Sequence, residues 1–441
     1  MVVCKLNNDS FKYKRILKIA GPIALANASV PLIGIVDTGV IGQVGDPAKI
    51  AAVGLGSLII SFNYWLFGFL RMGTTGLTAK SRGENDLSEV LNILLRALIT
   101  GFGAGIILIF LQFYLIFFSM ALFNVAPDVE DIASSYIKIR IYAAPFSIMT
   151  FSAIGWLIAM ERSSLVLLIQ VAANALNMLF DLYFVLHIGL GVAGVALASV
   201  IAEAVGGILS LCCCYFTLKR MLPLKLTRLF ESKKWIKMFS VNFNIFIRSS
   251  ILEVVMVSYI YIGATFGTVT LAANQILLHF LSVAAYVLDG FAFSAEVLVG
   301  ISLANRSKKS VREAVKKCTI FAVSGALFFS ILFFFFGGNL IALMVLSENV
   351  REIANQYLFW AAITPVTGVF AWILDGIFIG STETSYMRKA MVQAFIFYCG
   401  VFFILNIFGN NHALWASINL FLLARAYFLF RYYPQITRNC Y

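Results

Sequence analysis

Three oxygen-bearing side chains recur at helical spacing within one apolar stretch: Asn174, Asn177 and Asp181. Steps of three and four residues put them on one face of a helix. Two amides and a carboxylate so aligned supply oxygen ligands for a small cation, or a hydrogen-bond chain that relays a proton. The competing reading is polar glue between helices. A further acid, Asp37, sits inside Ile35-Val36-Asp37-Thr38-Gly39, behind Pro22 and Pro31. Proline removes a backbone donor and permits a bend. A titratable acid on this segment could therefore couple protonation to helix shape, unless it only fixes packing through hydrogen bonds. Four more acids lie in apolar stretches further on: Glu253, Asp289, Glu296 and Asp375. Asp289 and Asp375 each occupy a Leu-Asp-Gly triplet, and Glu253 follows Arg248 by five residues, close enough to pair loosely. Arg71 and Arg425 read equally as counter-ions, as snorkelling groups or as substrate contacts.

The elements that carry these groups must be membrane spans. The chain has 441 residues, of which 61% are apolar and 12% charged. A soluble domain is nearer half apolar and a quarter charged. A span takes about 20 apolar residues, and the sequence accommodates twelve, over 16–43, 52–78, 90–119, 134–160, 164–187, 190–218, 236–263, 270–300, 314–337, 352–380, 385–408 and 412–432. Backbone amides in lipid must be paired within their own segment, so helices are expected. An ionisable group inside such a span is costly and is a functional candidate by default. The aromatics, 15% of the chain, include Phe62, Tyr64, Trp65, Tyr259, Tyr261 and Trp372. These could line a cavity and hold a lipophilic cation, although interface belts account for most of them.

Charge orients the spans. With the N-terminus in the cytoplasm, Lys and Arg concentrate in the N-terminal tail, the connection at 219–235 with its flank, and the stretch 306–317. Clearly external loops hold only Lys49 and Arg351, and the 3/4 loop is acidic, with Asp128, Glu130 and Asp131. This asymmetry places both termini in the cytoplasm and calls for an even number of spans. The basic 219–235 segment, with Pro223, reads as a linker between an N-terminal lobe at 1–218 and a C-terminal lobe at 236–441.

A shift of about 221 residues aligns the halves. Tyr136 falls on Tyr357, Gly155 on Gly376, Ala159 on Gly380, Ser164 on Ser385, and Ile50-Ala51-Ala52 on Leu271-Ala272-Ala273. Six spans per copy give the copies the same orientation, a plan used by transporters with a cavity between two bundles. The acids do not repeat: Asp37 falls on Ser258 and Asp181 on Phe402.

Other classes are disfavoured. The net charge of +12 sits between apolar runs, which reads as topogenic charge and not as a nucleic-acid surface. The seven Cys show no CxxC and no zinc spacing. No HExxH, paired-Asp protease signature or nucleophile elbow occurs. Lys12, Lys14, Arg15 and Lys18 precede a long apolar span without a small-residue cleavage site, so the first span is expected to stay as an anchor.

Taken together, these residues resemble the multidrug and toxic-compound extrusion (MATE) family, in particular its DinF branch. The resemblance is carried by Val36-Asp37-Thr38 through Gly42, by Phe69-Leu70-Arg71-Met72 with Thr74-Thr75-Gly76-Leu77-Thr78-Ala79, and by Asn174, Asn177 and Asp181. It continues through Leu271-Ala272-Ala273-Asn274, Leu288-Asp289-Gly290-Phe291-Ala292, Leu374-Asp375-Gly376-Ile377-Phe378-Ile379-Gly380 and Asn411-His412-Ala413-Leu414-Trp415. It implies an all-α membrane protein of twelve helices in two six-helix bundles around a central V-shaped cavity. It also implies export of varied cationic or amphipathic drugs and toxins in exchange for protons or sodium. By the same resemblance Asp37, Asn177, Asp181 and Ser199 match a first-lobe cation site, sodium being a candidate ligand of Asp37, Asn177 and Asp181. Pro22 matches a hinge proline, and Glu253 and Asp375 stand near a second-lobe site. No cofactor is implied beyond the coupling ion. A monomer in the inner (plasma) membrane is expected, with no nucleic-acid partner. The alternative is a lipid-linked precursor flippase of related fold, which would want a basic cavity where these spans hold more acids than bases.

Overall fold

The computed structural model describes residues 13–29, 39–41, 46–123, 126–219, 221, 228–405 and 409–438. Among the described residues the regular structure is helical throughout, without a strand. In chain order the helices are α1 (Tyr13–Ala28), α2 (Pro47–Trp65), α3 (Phe69–Gly83), α4 (Leu87–Phe110), α5 (Gln112–Phe123), α6 (Pro127–Arg140), α7 (Ala144–Ala159) and α8 (Ser163–Asp181). They continue as α9 (Gly191–Lys219), α10 (Ser232–Thr265), α11 (Thr268–Ala304), α12 (Lys308–Met344), α13 (Glu348–Ser381), α14 (Thr384–Leu405) and α15 (Asn411–Thr437). Among the described residues eleven stretches are long and apolar enough to cross a membrane, and they match the spans expected from the second onward. The first expected span runs into residues 30–38 and 42–45, which lie outside the described residues, as do Pro31 and Asp37.

Local chemistry explains where the helices begin and bend. Asp46 and Asp86 cap α2 and α4 by accepting from the amides of Ala48 and Glu89, each at 3.0 Å. Asn410 caps α15 through the Ala413 amide at 2.9 Å. Such caps satisfy amides that the helix itself leaves orphaned. Pro145 cannot donate to the carbonyl of Ile141, and the turn Ile141–Ala143 tightens to a 3-10 helix. The second span is likewise interrupted by a 3-10 turn at Leu66–Gly68, and two further spans depart from the regular runs expected. The third breaks at Leu111 (φ −87°, ψ 2°) between α4 and α5. The fifth leaves α geometry immediately after Asp181 and continues as a π-helix over Leu182–His187.

The chain forms two compact units. One holds Leu25–Thr78 and Asp86–Ile236; the other holds Met1–Ala24, Ala79–Asn85 and Lys237–Tyr441. The division therefore differs from a single cut at the linker: the start of the first span and the end of the second group with the C-terminal half. Contacts within that unit show why. The Ala20 carbonyl lies against Gly290, Ser294 donates to the Ile16 carbonyl at 3.3 Å, and Gly300 packs on Ala79. The described end of the linker, 228–236, goes with the first-half unit, where Arg228 pairs with Asp86 at 2.9 Å and Lys234 with Glu89 at 3.6 Å.

Each unit has its own core. In the first-half unit Ile41, Ala52, Ile60, Leu70, Tyr136 and Ile148 cluster; in the other, Tyr259, Leu277, Phe280, Trp415 and Ile418 do. The internal repeat is visible in the packing. A Cβ added at Gly155 of α7 would collide with the backbone of Arg71 on α3, and one added at Gly376 of α13 would collide with the backbone of Ala292 on α11. Both partners of each pair are related by the same shift of about 221 residues read from the sequence. Glycine is required at these two positions because helix backbones meet there, the usual device where lipid supplies no hydrophobic drive to associate. The spans ending in α7 and α13 are equally interior, each with 72% of its apolar window buried.

Gly155→Ala and Gly376→Ala are each expected to lower the melting temperature of the detergent-purified protein, on the overpacking scale of about 1–3 kcal/mol. Gly103→Ala, in a helix where nothing lies within 4 Å of the added carbon, should leave it unchanged or raise it. Equal melting temperatures for the three variants would refute the close approach.

Candidate functional site

The face predicted on the fifth span exists. The buried residues of α8 are Ser163, Val166, Ile169, Asn174, Asn177 and Asp181, which is one stripe of a helix. Leu168, Val171 and Leu179 on the other side are exposed, as lipid-facing residues are. Asn174 and Asn177 are 6% and 4% exposed, and Asp181 is fully buried. This stripe belongs entirely to the first-half unit.

Its amides are held in fixed orientation. Asn177 Nδ2 donates to Ser199 Oγ on α9 at 3.1 Å. Asn174 Nδ2 donates to Ser29 Oγ at 2.8 Å, and that hydroxyl donates to the Ala26 carbonyl at 2.7 Å. Because its amino group is committed to Ser199, Asn177 turns its carbonyl oxygen the other way. That Oδ1 is buried and has no hydrogen-bond partner among the described residues. Asp181 follows one turn later, where the backbone passes into the π-helix. Insertions of this kind widen a turn and recur at functional positions. The arrangement offers a carboxylate and an amide oxygen to a small cation, or a carboxyl group to a proton. Asp37 lies outside the described residues. Pro22 lies inside α1, two residues before the point at which the chain passes from one unit to the other.

The second-half acids are arranged differently from the sequence reading. Arg248 of α10 does not pair with Glu253. Its Nη2 pairs with Asp375 Oδ2 on α13, and Arg425 Nη2 of α15 reaches the same oxygen at 2.6 Å. Arg425 is thus a counter-ion and not a snorkelling group. Two residues five positions apart cannot reveal a pair made by residues 127 positions apart. Glu253 and Asp289 are half-buried and Glu296 is buried. Tyr259, one of the aromatics considered for a cavity wall, is instead a core residue edge-on to Trp415 at 5.4 Å between ring centres.

Two interior ion pairs were not anticipated. Glu89 and Arg96 of α4 pair at 2.6 Å, both nearly inaccessible. Glu203 of α9 accepts from Arg140 and from the Ser147 hydroxyl, while Tyr64 donates to the Arg140 carbonyl at 3.2 Å. The i, i+7 spacing of Glu89 and Arg96 and the i, i+4 spacing of Ser199 and Glu203 were the available signals. Among the described residues no three His, Cys, Asp or Glu gather as a metal site.

Comparison with known proteins agrees with this architecture. The model of the MatE family matches residues 22–184 and again 245–406, once per half. The chain is 30% identical over 427 residues to the DNA damage-inducible protein F of Escherichia coli (strain K12), covering 97% of this chain and 93% of that one. It is 22% identical over 410 residues to a probable multidrug resistance protein NorM of Bacillus anthracis, covering 89% and 87%. A solved structure of a multidrug resistance MATE family transporter of the MOP superfamily, outward-facing, aligns with a TM-score of 0.88 at 16% identity over 97% of this chain and 96% of that one.

A double-mutant cycle of Asn177→Ala and Ser199→Ala, read by thermal unfolding, should return a coupling of about 0.5–1.5 kcal/mol, the net worth of one buried hydrogen bond. Strict additivity would mean that the two side chains do not bond in the membrane.

Proposed function

Because the chain belongs to the MatE family, whose members are multi-pass transporters and not enzymes, we propose that it is a secondary active exporter that expels cationic or amphipathic small molecules in exchange for protons or sodium. The observation that carries this reading is the buried face of Asn174, Asn177 and Asp181, with the Asn177 amide locked by Ser199 so that its oxygen is left for a cation. Asp37, on the first span, supplies the second carboxylate. The substrate leaves when an ion entering from outside neutralises these acids, and Pro22 is the point at which the first span bends. A ligand shifts a conformational equilibrium only by its differential affinity for the two states. Substrate and ion must therefore favour opposite states or compete for one. The protein works as a monomer in the inner (plasma) membrane with both termini in the cytoplasm, the orientation that the basic segments favour.

The test uses proteoliposomes in which the proton and sodium gradients are imposed separately on a fluorescent cationic substrate. Asp37→Asn and Asp181→Asn should each slow gradient-driven release at least about tenfold, a loss of about 1.4 kcal/mol in coupling. Release at the wild-type rate in both variants would overturn the assignment. Asn177→Ala separates the ions. An amide carries no titratable proton at neutral pH, so this change should abolish release driven by sodium while release driven by protons stays within about twofold.

A further inference from the structure

The Arg248–Asp375–Arg425 cluster is built on three different helices of one unit, α10, α13 and α15. The side chains are 8%, 9% and 1% exposed. Both guanidinium groups use the same atom type, Nη2, on the same carboxylate oxygen, Oδ2. The consequence lies in what is left over. Arg248 Nε, Arg425 Nε and Asp375 Oδ1 are all buried and without a hydrogen-bond partner among the described residues. The Nε–Nη2 edge of a guanidinium is a fork that matches the two oxygens of a carboxylate or phosphate. Here each arginine engages Asp375 through one prong and leaves the other idle. Asp375, shared between two forks, completes neither.

The surrounding charges do not close the gap. Asp289 on α11 is near enough to act electrostatically on Arg425 and is itself half-buried with its own interaction. Glu253 on α10 is half-buried and makes no ion pair with Arg248 among the described residues.

We propose that Arg248 and Arg425 form an oxoanion subsite in the second-half unit. It takes the carboxylate, sulfonate or phosphate group of an amphipathic molecule, and Asp375 is the built-in occupant that such a group displaces. The inference adds a substrate class to the export reading and rests on it for the ligand's route, but not for binding. The rival account is a clip that only ties three helices together. The two differ in sign at Asp375. If Asp375 competes with the ligand, its neutralisation strengthens anion binding; if it only organises the helices, its neutralisation weakens binding or leaves it unchanged.

The experiment is calorimetric titration of the full chain in phosphatidylcholine nanodiscs with 2-naphthoate, 2-naphthalenesulfonate and neutral 2-naphthol. Asp375→Asn should tighten the two anions about fivefold or more, and Arg248→Gln and Arg425→Gln should each weaken them about tenfold, with naphthol changed less than about twofold throughout. Naphthol binding and the thermal melt report folding in every variant. Should an arginine variant not fold, the sign at Asp375→Asn decides alone. Wild-type anion affinity in Arg425→Gln, or weaker or unchanged affinity in Asp375→Asn, would overturn the subsite. Discs containing phosphatidylglycerol identify the source: competition with naphthoate that is lost in Arg425→Gln assigns the subsite to a lipid phosphate, and its absence assigns it to a soluble anion. No gradient is used, so the outcome is independent of the release assay with Asp37→Asn and Asp181→Asn.

Discussion

A charge removed from water must find a partner inside the protein or stay neutral, and in a membrane helix it cannot turn outward to solvent. The interior of this chain is organised around that constraint. Glu89 meets Arg96, Glu203 meets Arg140 and Ser147, and Asp375 meets Arg248 and Arg425. Breaking one buried pair by removing a partner typically costs about 3–5 kcal/mol, because the remaining charge is stranded. The Glu203 and Asp375 clusters, whose members lie on different helices, therefore help decide which helices stay together within each unit, whereas Glu89 and Arg96 pair within α4. The face on α8 is the contrasting case. There the Asn177 amide is hydrogen-bonded on one side only, and its oxygen is held ready on the other.

The same constraint bears on the repeat. The two halves share backbone geometry, since Gly155 against Arg71 and Gly376 against Ala292 are the same contact made twice. A helix-to-helix approach through glycine has no charge to satisfy, so both copies can keep it. Charged side chains are different, because each needs its own partner. One unit carries amides and an acid on α8; the other carries an acid between two arginines. Copies with the same packing thus hold different polar chemistry.

The division into units follows the packing and not the chain order. The first span begins with one unit and continues with the other, with Pro22 just before the crossing, and the end of α3 joins the second-half unit through Gly83 and Ala79. A proline removes one backbone donor from the helix, so a change of direction beside this crossing has one hydrogen bond fewer to break. The linker, by contrast, is tied to the first-half unit by Arg228 and Lys234 on the acids at the start of α4.

Much of this was legible in the sequence. Apolar length located the eleven described spans, because a helix in lipid has only one way to pair its backbone. The shared offset of Tyr136, Gly155 and Ala159 with their counterparts announced the repeat. The spacing of Asn174, Asn177 and Asp181 announced a polar stripe, since helical periodicity is a local property of the chain. What the sequence left open was every partnership between distant helices. Arg248 was matched with the acid five residues away, and only the tertiary structure brought Asp375 and Arg425 to it from two other helices of the unit. Glu203 and Arg140 were passed over for the same reason, whereas Glu89 and Arg96 share α4 and their spacing was legible. Sequence spacing reports which side chains share a face, whereas which faces meet depends on how helices far apart in the chain pack, and that is settled only when the whole unit folds.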